Sequence, residues 1–131
     1  MKNKTARQQP FPPGRPVACV PGGHSSAPQL APEDMAMLLR SAEPPFLLDV
    51  RERDEFAKGH IKGSVNIPLG TVVAGVLDRQ LPREKVIIVI CEHGIRASRA
   101  ASELSSRGFV TAVLAGGFEA WARHQSRLRR G

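Results

Sequence analysis

The chain of 131 residues is poor in aromatic side chains, which make up 5% of it and include no tyrosine. A core must therefore be built from Val, Ile, Leu and Ala, and the length suffices for one compact domain with such a core. Only two cysteines are present, Cys19 and Cys91, so a disulfide framework is excluded. This cysteine usage favours the reducing cytoplasm, where a thiol on a loop stays reactive.

Long apolar runs are also absent from the sequence. No segment reaches the length of about 18 apolar residues that a membrane-spanning helix needs. No apolar stretch follows the basic N-terminus, as it would in a secretory signal. We therefore expect a cytoplasmic protein with no membrane partner.

The net charge of +7 raises the question of nucleic-acid binding. Residues 1–28 and residues 121–131 each carry four basic and no acidic residues, which leaves residues 29–120 with a net charge of −1. Basic residues do not alternate with aromatic residues, as they do in grooves where bases stack. We expect solvated basic ends that aid solubility, and no nucleic-acid partner.

Six prolines and three glycines fall within residues 1–28, a composition that predicts a flexible tail. The ordered part is expected to begin near residue 29 with a helix start at Ala31. After it, segments typical of strands alternate with segments typical of helices. The predicted strands or extended pieces are 46–50, 64–68, 86–90 and 110–114, and the predicted helices are 51–58, 70–77, 97–107 and 118–125. This order predicts an α/β fold with a mostly parallel central sheet of about five strands and helices on both faces.

Cys91 follows directly on a β-branched run, Val86 to Ile90, which is typical of a strand buried on both faces of a parallel sheet. The segment from Ala97 to Arg107 predicts a helix that Gly108 ends. Cys91 therefore lies where a strand passes to a helix. In open α/β sheets this edge is where ligands bind.

Three features of the loop favour the thiolate, which is the nucleophilic form of cysteine. The helix that follows directs its free N–H groups and partial positive charge at the loop. Gly94 lets the backbone curl so that successive N–H groups face one centre, and Arg96 adds a cation. This cradle suits a small oxyanion or a terminal sulfur anion. The alternative is that Cys91 is a buried apolar residue at a strand end.

Three blocks of the sequence resemble the single-domain rhodanese-like family of sulfurtransferases, whose type activity is thiosulfate sulfurtransferase. The first block holds Leu47–Glu52, Glu55-Phe56 and Gly59–Pro68; the second is Cys91–Arg96; the third holds Gly108-Phe109, Gly116-Gly117 and Ala120-Trp121. The resemblance covers residues 29–124, in the family's order and spacing. It implies the family's three-layer α/β fold for these residues, with basic tails at 1–28 and 125–131.

The resemblance also implies a two-step reaction. Cys91 takes sulfur from thiosulfate or from a low-molecular or protein persulfide, and an acceptor thiol or cyanide removes it. No metal or organic cofactor is implied. The implied substrate-binding residues are Glu92, His93, Gly94, Ile95 and Arg96. Asp49 and Arg51 end a strand on the same side of the sheet as Cys91, which predicts an ion pair that supports the loop, with a purely structural pair as the alternative. His60, in the Gly-His-Ile turn, is expected to support this region through a structural hydrogen bond rather than to act in catalysis. We further expect a monomer that can work with a sulfur-relay protein partner.

Two other functions stay open at this point. Phosphatases and arsenate reductases of related type carry five residues between Cys and Arg, whereas Cys91 and Arg96 enclose four, a smaller cradle that suits sulfur better than phosphate. The other function is a binding, sulfur-carrier or sensing module with little turnover. Glu92 departs from the basic or neutral residue of many thiosulfate-using relatives, so thiosulfate need not be the physiological donor. The roles of His93 and of Cys19 are open.

Overall fold

A computed structural model describes residues 27–130 of the chain, so Cys19 and the predicted N-terminal tail lie outside the described residues. The strands are β1 (Gln29–Leu30), β2 (Phe46–Asp49), β3 (Val65–Asn66), β4 (Val86–Ile90) and β5 (Val110–Leu114). The helices are α1 (Pro32–Leu39), α2 (Arg53–Lys58), α3 (Leu69–Ala74), α4 (Ile95–Ser106) and α5 (Gly117–Arg130), with a 3-10 turn at Asp78–Gln80.

The strands form one five-stranded sheet in the order β1-β5-β4-β2-β3, and every neighbouring pair is parallel. The predicted fold class is therefore confirmed. The chain leaves β2 toward β3 on one side and leaves β4 toward β5 on the other. The gap between the carboxyl ends of β2 and β4 is thus the point at which the strand order reverses, where ligands bind in open α/β sheets.

Helices cover both faces of the sheet because the central strands are apolar on both sides. Ile87 and Val89 of β4 pack with the apolar residues of α3 and α4 in one cluster. Ile88 and Ile90 of the same strand pack in a second cluster with Met35 of α1 and with residues of α5. This alternation along β4 is the period of two that a strand imposes. It fixes the face that each residue occupies, and Cys91, which follows Ile90, packs in the same cluster as Ile87 and Val89.

The predicted start of α1 and the predicted stop of α4 agree with the structure. Ala31 caps α1 with Pro32 at its first position. At the end of α4, Gly108 has a φ of 95°, and the N–H groups of Gly108 and Phe109 donate to the carbonyls of Ser105 and Leu104. This is a Schellman arrangement, which needs the left-handed conformation that glycine adopts readily.

Three elements differ from the sequence-based expectation. The short strand β1 and the 3-10 turn were not predicted. The last helix continues to Arg130 rather than ending near Gln125, because Arg, Gln and Leu are good helix formers and no Gly or Pro interrupts them before residue 131. No helix in the described part of the chain has the length and apolar character needed to cross a membrane.

Candidate functional site

Cys91 lies at the carboxyl end of β4, at the bottom of the loop that leads into α4. The residue is 1% exposed and packs in the cluster under α4. Its Sγ accepts hydrogen bonds from the N–H of Gly94 at 2.9 Å and from the N–H of Ala97 at 3.3 Å. Burial alone would fit an inert apolar cysteine. The two backbone N–H groups directed at the sulfur do not fit an inert cysteine, because such hydrogen bonds stabilise a charged acceptor most strongly.

The two donors belong to the first turn of α4. Gly94 is the N-cap residue, with a φ of 114°, and Ala97 is the third helical residue. No side chain caps this helix end, so Sγ takes two of the N–H groups that every helix start leaves without an internal partner. The partial positive charge of the helix start points in the same direction. The site therefore suits a sulfur anion.

The opposite edge of the loop is held by the start of α5. The N–H of Phe118 donates to the carbonyl of Cys91 at 2.7 Å, and the N–H of Glu119 donates to the carbonyl of Glu92 at 3.2 Å. In a trans peptide the N–H points away from the preceding carbonyl, so the N–H groups of Glu92 and His93 are directed away from α5. Gly117 makes this contact feasible, because a Cβ at Gly117 would overlap both carbonyls.

Arg51 connects the end of β2 to the loop. Its guanidinium binds both Asp49 oxygens at 2.9–3.1 Å, the carbonyl of Gly59 at 2.8 Å and Glu92 Oε1 at 3.2 Å. It also lies 4.6 Å from the centre of the Phe118 ring. Burial lowers the pKa of Arg51, but hydrogen bonds and charge attraction from Asp49 and Glu92 outweigh it and raise that pKa. Arg51 is therefore a permanent cation between two carboxylates.

Arg96, expected to face the donor, binds Glu55 of α2 instead. Its two terminal nitrogens donate to the two Glu55 oxygens at 2.8 and 3.0 Å. This hydrogen-bonded guanidinium, with the backbone N–H of Glu52, lowers the pKa of Glu55 to about 2. The bidentate pair fixes the start of α4 against α2. Arg96 thus positions the helix whose N–H groups bind Cys91.

The lowered pKa of Glu55 predicts a pH-dependent loss of stability. The Glu55 carboxylate contributes stability above its unfolded pKa of about 4.5, and this contribution is lost as the pH falls through about 2. Because the Glu55 side chain is 32% exposed, we expect only about 1 kcal/mol. Denaturant unfolding of wild type and Glu55→Gln at several pH values measures it.

The control for this experiment is Glu43→Gln, which removes an exposed carboxylate before β2 that forms no ion pair within residues 27–130. We expect the wild type and Glu43→Gln to lose more unfolding free energy than Glu55→Gln between pH 5 and pH 2, by about 1 kcal/mol. Equal losses in all three proteins would contradict the assigned pKa.

The remaining predicted site residues occupy different positions around the loop. His93 is exposed and its Nε2 lies 3.2 Å from Oε1 of Glu119, which also pairs with Arg123. Ile95 is 83% exposed at the first position of α4. His60 stacks on Phe56 at 3.7 Å, and its Nδ1 lies 2.9 Å from the Phe56 carbonyl. Its ring thus braces α2, and no described contact joins His60 to the cysteine loop.

Sequence reasoning missed three residues that hold the loop: Glu55, Gly117 and Phe118. The role of Glu55 could have been predicted, because an acidic residue in the first of the three sequence blocks is a natural ion-pair partner for the loop arginine. Their contacts join α2 and α5 to the loop, and Glu55 lies 41 residues from Arg96 in sequence. Gly116-Gly117 was identified only as part of the third block that resembles the family. The second glycine of this pair is needed because the loop carbonyls pass directly above it.

Comparison with known proteins now decides the family. The model of the rhodanese-like domain matches residues 31–124, which include every element from α1 to the middle of α5. The chain belongs to the rhodanese-like family. The family's fold agrees with the five-stranded parallel sheet, and its matched region contains the whole of the loop after β4.

Individual rhodanese-like relatives support the same assignment. YrkF of Bacillus subtilis, provisionally named a sulfur carrier protein, is 38% identical over 85 residues, which are 65% of this chain and 45% of YrkF. The adenylyltransferase and sulfurtransferase uba4 of Ogataea parapolymorpha is 34% identical over 87 residues, 65% of this chain and 22% of uba4. The chain thus spans less than half the length of these two curated relatives.

A solved structure has the same fold over nearly the whole length of a relative. The rhodanese-related protein from Thermoplasma volcanium superposes with a TM-score of 0.66 at 30% identity. The superposition covers 73% of this chain and 91% of that protein. The rhodanese-like part of the present chain therefore has the size of that relative.

Proposed function

We propose that this rhodanese-like protein is a sulfurtransferase that carries sulfane sulfur as a persulfide on Cys91. The observation that carries the proposal is the pair of backbone N–H groups directed at Sγ from the start of α4. Such donors stabilise the thiolate that attacks and the persulfide anion that results. The names of the relatives, a sulfur carrier and a sulfurtransferase, agree with sulfur transfer.

The reaction has two steps. In the first, the Cys91 thiolate attacks the outer sulfur of the donor, the new S–S bond forms on Sγ, and the donor's own bond to that sulfur breaks. The leaving group, sulfite from thiosulfate or a thiolate from a persulfide, departs with the electron pair. In the second, an acceptor thiolate or cyanide attacks the outer sulfur of the persulfide and releases Cys91 as a thiolate. This is nucleophilic catalysis with one covalent intermediate.

The burial of Cys91 supports sulfur rather than a larger group as the cargo. A residue that is 1% exposed can be reached by the single outer atom of a donor more easily than by a tetrahedral phosphate. The loop of four residues between Cys91 and Arg96 also restricts the space. We therefore rank phosphatase and arsenate reductase chemistry below sulfur transfer.

We propose a sulfur-relay protein as one acceptor of this sulfur. The names of the relatives support it, because YrkF is provisionally named a sulfur carrier and uba4 an adenylyltransferase and sulfurtransferase. The acceptor to which the protein transfers its persulfide sulfur tests whether the chain works with such a relay partner. A small thiol and a protein thiol are the two acceptors to compare.

Intact mass measurement tests the proposed function. The protein is incubated with thiosulfate, and separately with glutathione persulfide, and then with cyanide. We expect the intact protein to gain the mass of one sulfur atom and to lose it on treatment with cyanide, with formation of thiocyanate. No gain with either donor would contradict the proposal and favour a binding module. Release of phosphate from an aryl phosphate would favour a phosphatase.

A further inference from the structure

The charges that contact the cysteine loop do not add up to a positive site. Arg51 is 2% exposed and is shared between the buried Asp49 and Glu92, a residue of the loop itself. These three groups together carry one negative charge. Glu92 is the less neutralised of the two carboxylates, because it accepts one hydrogen bond from the Arg51 side chain at 3.2 Å, whereas Asp49 accepts three at 2.9–3.1 Å.

Arg96 does not compensate for this charge, because its guanidinium is bound to both oxygens of Glu55. The charged groups that are part of the loop or contact it include Asp49, Arg51, Glu55, Glu92 and Arg96, and also Glu119, which lies beside His93, and Arg123, which pairs with Glu119. The aspartate, glutamate and arginine side chains of this set total −1. Glu92 follows Cys91 directly in the loop and its side chain is 34% exposed, so a donor that approaches Sγ enters the field of a partly exposed carboxylate. Each negative charge on the donor adds to the repulsion.

An exposed apolar side chain lies at the end of the loop that leads into α4. Ile95 is 83% exposed at the first position of α4, next to Gly94, whose N–H donates to Sγ. Apolar surface exposed at a site is stabilised when an apolar group of a ligand covers it. An organic substituent on the donor can supply that group, whereas the sulfonate oxygens of thiosulfate cannot.

We propose that the loop selects a singly charged organic sulfane-sulfur donor, with an alkyl persulfide as the natural class, over the thiosulfate dianion. The inference rests on the proposed function. In the transfer, Cys91–S⁻ and R–S–S⁻ give Cys91–S–S⁻ and R–S⁻, so one S–S bond forms, one breaks, and no external oxidant or reductant is needed. With thiosulfate the same step brings together the thiolate, a dianion and Glu92.

A comparison of methanethiosulfonate with thiosulfate tests the effect of the donor's charge while the transferred sulfur atom stays the same. Methanethiosulfonate has the same outer sulfur as thiosulfate, but a methyl group replaces one charged oxygen, so it is a monoanion with an apolar end. It leaves as methanesulfinate where thiosulfate leaves sulfite. The quantity measured is kcat/KM for cyanide-dependent thiocyanate formation with each donor at equal ionic strength.

The decisive variant is Glu92→Gln, whose amide oxygen can still accept from Arg51. We expect it to raise kcat/KM for thiosulfate about tenfold and that for methanethiosulfonate about threefold, because removal of one exposed like charge is worth about threefold for each charge on the donor and thiosulfate carries two charges. The matched control is Glu43→Gln, an equal charge change before β2, at the opposite edge of the sheet. It is expected to leave the ratio of the two donors unchanged.

Two further measurements test the same inference. Added salt screens exposed charges over distances of about 10 Å at 0.1 M, so it should reduce the preference of the wild type but have less effect on Glu92→Gln. Ile95→Ser should lower kcat/KM for methanethiosulfonate about threefold more than for thiosulfate, since the contact of one methyl group is lost.

The outcomes distinguish the two proposals. A wild-type protein that gains no sulfur from thiosulfate, methanethiosulfonate or glutathione persulfide overturns the proposed function, and the selectivity with it. A protein that transfers sulfur from both thiosulfate and methanethiosulfonate, with a ratio that Glu92→Gln and salt leave unchanged, overturns the selectivity alone. The selectivity is supported if the ratio of kcat/KM for methanethiosulfonate to that for thiosulfate falls in Glu92→Gln but not in Glu43→Gln.

Discussion

A Cys91→Ser variant is expected to lose sulfur transfer, by at least about 10³-fold, while it folds like the wild type. A serine hydroxyl cannot hold a transferred sulfur atom as a persulfide, so neither step of the reaction can proceed. The hydroxyl oxygen can accept from the N–H groups of Gly94 and Ala97, which bind Sγ in the wild type. Stability should therefore change little, by about 1 kcal/mol or less.

Thiocyanate formation and intact mass measure the activity, and thermal unfolding measures the stability. The matched control is Cys19→Ser, which alters a thiol that belongs to residues 1–26 and lies outside the described structure. It should keep nearly full activity and still gain one sulfur atom. Activity that survives in Cys91→Ser and disappears in Cys19→Ser would contradict the assignment of the persulfide to Cys91 and place it on Cys19.

The position of Cys91 was predictable because the signals for it are local. A β-branched run, a cysteine and a glycine within nine residues, from Val86 to Gly94, specify a strand, its end and a loop that curls toward a helix start. The parallel sheet followed from the alternation of such segments. Each of these inferences depends on neighbours in sequence, where propensity and pattern act directly.

The partners of the loop were less predictable because they depend on topology. Arg96 could be identified as a cation, but the direction of its side chain depends on where α2 lies relative to α4. That position follows from the strand order, in which β2 and β4 are neighbours although α2, β3 and α3 separate them in sequence. The same holds for Arg51 and Glu92, which meet because their strands end side by side.

Short and charged elements were missed for a different reason. β1 has two residues, Gln29 and Leu30, which pair with Val113 and Leu114 of β5, and two residues are too few to show a period of two. The end of α5 carries several arginines, and a run of like charge was assigned to a solvated tail. Helix propensity, rather than charge, decided the outcome there.

A Gly117→Ala variant is expected to lose about 2–5 kcal/mol of unfolding free energy and more than tenfold in the rate of persulfide formation. Gly117 has a φ of 67°, which costs an alanine about 1–2 kcal/mol. The added Cβ would also overlap the carbonyl oxygens of Cys91 and Glu92, so either α5 or the loop must move. Overpacking of this kind costs about 1–3 kcal/mol more.

Gly63→Ala separates the two costs. Gly63 has a φ of 88°, and a Cβ there would meet no atom within 4 Å. This control should lose only the conformational part, about 1–2 kcal/mol, and should form the persulfide at the wild-type rate. Urea unfolding and the time course of sulfur gain by mass, both at a temperature where each variant is folded, measure the two quantities.

The difference between the two alanine variants measures what α5 does for the reaction. The hydrogen bonds from Phe118 and Glu119 fix the carbonyls of Cys91 and Glu92, and a shift of about 1 Å in a reacting group can cost 10²-fold in rate. If Gly117→Ala matched Gly63→Ala in both stability and rate, the contact between α5 and the loop would be incidental. A rate loss confined to Gly117→Ala would show that the start of α5, together with the start of α4, holds the sulfur in position for transfer.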